Sequence, residues 1–119
     1  MLPTAQILIW QQLFILLSNL PSDTTPELKT SISQAIELFE IKILPQDLDS
    51  LPDPIAGKMR SIITESHRLL RLLSMDALFI ATARNPTTLD LRSQAYRDKL
   101  NLLLQYCQVV LAESSSDIP

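Results

Sequence analysis

The feature that most constrains this chain is where its prolines fall. They stand at positions 3, 21, 26, 45, 52, 54, 86 and 119 of 119 residues. They leave four uninterrupted stretches, 4–20, 27–44, 55–85 and 87–118. A proline ring is tolerated in the first helical turn but clashes inside a helix, so this spacing predicts four helices, two short and two long. Residue types agree. The apolar content is dominated by 23 Leu and 12 Ile, with two Val, a mix that favours helices over strands. No Asn-Gly, Asp-Gly or Gly-Gly pair signals a hairpin. The class is therefore all-α.

The starts of the helices carry their own signals. Thr24 with Glu27 three residues on, and Pro26 between them, reads as a capping box. Asp53 before Pro54 reads as an N-cap followed by proline at the first helical position. Thr87 with Asp90 is a weaker version of the capping box. The interiors repeat apolar residues every three or four positions. The second segment does so with Leu28, Ile32, Ala35, Ile36, Phe39 and Ile43, and the third with Ile55, Met59, Ile62, Leu69, Leu73 and Ile80. The fourth does so with Leu89, Tyr96, Leu100, Leu103, Cys107 and Val110. Seams of this kind pack helices near +20°, which predicts an antiparallel four-helix bundle with two short N-terminal helices and a long C-terminal helical hairpin. The hairpin turns at Arg84–Thr87, and each of its arms spans up to about 45 Å at 1.5 Å per residue. Two short helices cannot cover two long ones, so part of the hairpin is expected to be polar, frayed or paired with another chain. A single domain over 1–112 and a disordered tail over 113–119 complete the organisation.

Composition excludes several chemistries. One glycine cannot build a P-loop or a GxGxxG turn. One Cys and one His cannot build a zinc site of the usual kind. Neither a cofactor nor a metal is expected. Cys107 falls in an apolar seam and reads as an inert core thiol, and His67 has no ligand partner at helical spacing. Asp76 lies within an apolar stretch, where a structural ion pair with Arg71, Arg84 or a residue of another helix, or a cap, is expected rather than an acid–base role. No spacing suggests a nucleophile and its base, so an enzyme is not expected. The lone Cys, the lack of Lys or Arg ahead of the first apolar stretch, and the polar interruptions of that stretch point to a cytoplasmic protein without membrane insertion. Attachment of the first helix to a membrane surface stays open, though no basic residue accompanies it.

Two surfaces remain unexplained by one buried stripe. Residues 69–83 are apolar almost all round, which fits either the central helix of a tight bundle or a dimer or partner surface. Charge is also uneven. Residues 1–57 carry two Lys/Arg against seven Asp/Glu, and residues 58–99 carry eight against four, a net of −5 followed by +4. Arg60, His67, Arg68 and Arg71 share a side of the third segment, which reads either as a solvated face or as a footprint for an acidic partner. Nucleic acid fits poorly, since the chain has a net charge of −3 and few aromatic residues among its basic ones.

The run Leu69-Leu70-Arg71-Leu72-Leu73-Ser74-Met75-Asp76-Ala77-Leu78-Phe79, followed by Ala83-Arg84, resembles the cyanobacterial heterocyst frequency control protein PatD family. The opening Met1-Leu2-Pro3, the small size and Tyr106-Cys107 near the end agree with it, and Ser74 departs from the glycine common in that family. The resemblance covers the C-terminal half, and the N-terminal half only in pattern. It implies a non-enzymatic developmental regulator that controls heterocyst frequency, linked to the tubulin-like division GTPase FtsZ, whose assembly it modulates. No catalytic or cofactor residue comes with it. The partner-binding residues expected on physical grounds are Arg60, Arg68, Arg71, Met75, Phe79 and Arg84. A helical homodimeric scaffold, or a small transcription-associated regulator of another acidic partner, is the alternative.

Overall fold

Four helices account for most of the residues that the computed structural model describes, which are 4–20, 26–49 and 51–115. They are α1 (Thr4–Ser18), α2 (Pro26–Leu38), α3 (Asp53–Thr82) and α4 (Pro86–Ser115), and no strand occurs among the described residues. The proline rule explains this division. Pro54 sits in the first turn of α3, Pro86 opens α4, and no proline lies deeper in any of the four. The helices are 15, 13, 30 and 30 residues long. α4 continues to Ser115, beyond the expected domain end at 112, and residues 116–119 of the expected disordered tail lie outside the described residues. The capping box at Thr24 also lies outside them.

Packing is by neighbours around a ring. α3 packs on α4, α4 on α1, α1 on α2 and α2 on α3, in a body of 52 × 24 × 21 Å. The core at their centre is built from the expected seams. Leu28, Ile32, Ala35 and Phe39 of the second segment are buried, and so are Met59, Leu69 and Leu73 of α3 and Tyr96, Leu103 and Val110 of α4. Two polar residues complete the α3 seam: Ser66, fully buried, and Asp76. With them one buried row runs 59, 62, 66, 69, 73, 76 and 80, an alternation of threes and fours, and Ala56, Ile63, Leu70 and Ala77 are buried beside it.

Local details differ from the sequence expectations in four places. The helix expected over 27–44 is not α throughout, because Phe39–Ile43 form a π turn closed by the Leu44 N–H donating to the Phe39 carbonyl at 2.8 Å. The wider turn takes in one more residue per hydrogen bond, and Phe39 and Ile43 at its two ends are both buried in the core. Asp53 is the first residue of α3 rather than its cap. Pro52 holds the cap position with no side-chain hydrogen bond, and its carbonyl accepts from the Ala56 N–H at 2.8 Å. Prolines 52 and 54 have no N–H to leave unsatisfied, which halves the number of first-turn donors that a cap would have to serve. At α4 the cap is Asn85, not Thr87: its Oδ1 accepts from the Thr87 N–H at 2.8 Å and its carbonyl from the Leu89 N–H at 2.9 Å. Proline at the first helical position moves the cap to the residue before it. Finally, Leu89 does not join the α4 seam. It is partly exposed, as no residue from Pro86 to Arg92 is buried and the first two turns of α4 stand clear of the core.

Candidate functional site

The six expected partner residues are all exposed, and five of them share the outward side of α3. At 100° per residue, Arg60, Arg68, Arg71, Met75 and Phe79 fall within an arc of about 100°, spread along about 28 Å of the helix. Arg84 follows in the turn before α4. They form a stripe rather than a compact pocket.

Its basic half is tied down from within the chain. Arg60 reaches Asp49 at 3.4 Å, and Arg71 reaches Glu40 at 3.4 Å. Arg68 grips Glu65 with two donors, its Nε at 3.1 Å and one terminal nitrogen closer still. The Arg68 guanidinium holds the Glu65 carboxyl below the usual carboxylate range, and Glu65 in turn raises Arg68. The three arginines that read as a positive footprint thus each face an acid of this same chain. Sequence spacing hid two of these three pairs, because Asp49 and Glu40 come from the segment before α3.

His67 acquires partners by the same route. Its Nε2 lies 2.9 Å from the Glu40 carboxylate, which also receives Arg71, and its ring stacks on Phe39 at 5.7 Å and 5°. Phe39 meets Trp10 edge-on at 6.1 Å, so an aromatic row leads from the core out to this cluster. Phe39 and Glu40 are the first two residues of the π turn. The imidazole is held by a carboxylate and a ring, and no nucleophile adjoins it in these contacts. Asp76 pairs with Lys99 of α4 at 2.7 Å, which settles its partner as a residue of another helix.

The apolar half of the stripe is open. Met75, Leu78 and Phe79, at i, i+3 and i+4, make a ridge near the end of α3, with Leu78 58% exposed. Arg92 lies over the Phe79 ring at 4.6 Å. Beside the ridge runs a groove of about 700 Å³ between the first turns of α2 and the joined ends of α3 and α4. Leu28, Ile32, Met75, Ala77, Leu78 and Leu89 are among the residues that line it, and Lys29 is the charged one. The size is within the range of ligand and peptide sites. Met75 was expected here. Leu78 was visible as an apolar residue in excess of a seam and Leu89 was expected inside the α4 seam, whereas Leu28, Lys29 and Ile32 join only through the packing of α2 on α3. A second, shallower hollow of about 440 Å³ lies near Asp49 and Arg60.

Elsewhere the reactive groups are muffled. Burial pushes the Cys107 thiol up to about 12 and the Tyr96 phenol up to about 12. Among the described residues no group of three or more His, Cys, Asp or Glu could hold a metal ion, and no helix is long and apolar enough to cross a membrane. No protein-family model matches the chain, and no curated protein or solved structure matches it significantly.

Proposed function

We propose that this chain is a non-enzymatic, cytoplasmic regulator that acts by binding a protein partner through the outward face of α3. In this reading the partner is FtsZ, the regulated step is FtsZ assembly, and the biological output is heterocyst frequency, as the PatD resemblance implies. The observation that carries the binding reading is the open apolar ridge of Met75, Leu78 and Phe79 beside a groove at the α3–α4 junction. Large apolar side chains left together on a surface mark an interaction site. The arginines of the basic half set orientation and encounter rate more than affinity, since each must share itself with an internal acid.

An antiparallel bundle belongs to the same proposal. Three placements along α3 support it: Leu28 at the start of α2 lines the same groove as Leu78 near the end of α3, Glu40 farther on meets Arg71, and Asp49 in the connection before α3 meets Arg60. The Asp76–Lys99 and Phe79–Arg92 pairs run the same opposed way along α3 and α4. A homodimeric scaffold is the second reading, favoured by Leu91, which is 68% exposed on the unsupported start of α4.

Co-sedimentation of the purified chain with FtsZ, with and without GTP, tests the first reading. The chain should pellet with FtsZ and change the amount of polymer. An unchanged FtsZ pellet across a range of salt concentrations refutes it, and light scattering that doubles in mass with concentration favours the dimer.

A further inference from the structure

We propose that the groove at the α2–α3–α4 end receives an amphipathic helical segment of the partner, with its apolar face on the groove and acidic residues along its flank. This deepens the interaction reading above and rests on it. The apolar part follows from shape. Leu28, Ile32, Ala77 and Leu89 form the walls, and the Met75–Leu78–Phe79 ridge stands along one side. A ridge spaced i, i+3, i+4 packs against the groove between side-chain rows of another helix. A small amphiphile lying in the groove would leave Phe79, outside its lining, uncovered, whereas a helix of three turns spans about 16 Å and reaches past the lining.

The acidic flank follows from charge. Arg60, Arg68, Arg71 and Lys99 are all in ion pairs, whereas Lys29, Arg84 and Arg92, the cations at this end, have no carboxylate partner among the described residues. Lys29 lines the groove, Arg84 follows its wall residue Ala81 by three positions, and Arg92 caps Phe79. The described carboxylates at this end are Glu27, Asp90 and the Lys99-bound Asp76. Unpaired cations around an apolar floor fit an anionic rim on the occupant. A second copy fits less well, because a two-fold interface joins the same patch on both subunits and would bring two cationic rims together.

The test uses the full chain and two labelled 18-residue peptides, both with Leu at i, i+3, i+4 and i+7. One carries Glu on both flanks and the other carries Lys. Titration followed by amide NMR should shift Ile32, Leu78, Ala81 and Leu89 with the Glu peptide, and bind the Lys peptide about tenfold more weakly or worse. Lys29→Glu should remove that preference and Leu78→Glu should abolish binding, with the far-UV spectrum of each variant unchanged. Equal binding of the two peptides, shifts confined to other faces, or no binding at millimolar peptide overturns the proposal. Laurate shifting the same amides and displacing the Glu peptide would reassign the groove to an amphiphile. Dilution-dependent shifts of the groove amides without peptide would reassign it to a second copy. FtsZ co-sedimentation fails independently: an unchanged pellet with intact Glu-peptide binding rejects FtsZ as partner and leaves the groove assignment standing.

Discussion

Ser66 and Asp76 are the residues at which this bundle departs from a simple apolar core, and they predict opposite outcomes. The Ser66 hydroxyl is buried on the α3 seam without a hydrogen-bond partner among the described residues. Desolvating a hydroxyl that gains no bond costs about 1–3 kcal/mol. Ser66→Ala is therefore expected to raise stability in urea unfolding, by about 1 kcal/mol. A loss of that size would mean that the hydroxyl is bonded in solution. Asp76 sits on the same seam but is answered by Lys99. Removing the lysine alone strands a buried carboxylate, so Lys99→Met should cost about 3–5 kcal/mol. The double variant Asp76→Leu/Lys99→Met should recover most of that loss, and a double-mutant cycle that shows additivity would deny the pair its role. The seam itself was legible in the sequence, but both polar positions were left out of it. Periodicity counts apolar residues, and the partner that makes Asp76 tolerable stands 23 residues away on another helix.

At the level of the elements, the proline pattern told where helices can and cannot run, because a ring clash is a local effect that needs no tertiary knowledge. The caps were less legible. Asn85 rather than Thr87 holds α4, a choice fixed by Pro86 and readable from the sequence had the proline been weighed first. Asn85→Ala should lower stability by about 1 kcal/mol, as loss of an N-cap usually does, while Thr87→Ala should change it little. The π turn was not legible, since Phe39 and Ile43 are also correctly spaced for an α-helix. The turn begins at Phe39, whose ring lies between Trp10 and His67. The exposed start of α4 follows from length. α1 has half the residues of α4, and the turns from Pro86 to Arg92 have no buried residue. Hydrogen exchange should find the amides of residues 90–93 opening far more readily than those of 100–110, because local opening follows the lack of buried contacts. Equal protection in both stretches would show that another chain covers the first.

Across the whole molecule, the leucines of the third helix divide into those that hold the fold and those that face outward, a split that residues 69–83 alone left open. Leu73 is fully buried and Leu78 is open. Leu73→Ala should cost about 2–5 kcal/mol, whereas Leu78→Ala should stay within about 0.5 kcal/mol and act on partner binding instead. Burial of acidic protons adds a pH signature to the intact fold. Cys107 and Tyr96 keep their protons up to about 12 when folded, against 9.0 and 10.0 for the same groups unburied. Between these values the unfolded chain releases protons that the folded chain retains, so the unfolded state binds fewer and stability falls as pH rises. The loss begins near pH 9 with Cys107, is joined near pH 10 by Tyr96, and ends near pH 12, with each group contributing up to about 1.4 kcal/mol per pH unit. Below pH 8 neither group contributes a slope. Urea melts at pH 8, 9.5 and 10.5 measure this directly. Cys107→Ala should flatten the decline between pH 8 and 9.5, and Tyr96→Phe should flatten the part above 10. A wild-type midpoint that holds level to pH 10.5 would place the thiol and the phenol in contact with water, and the core described here would then have to open along the α4 seam.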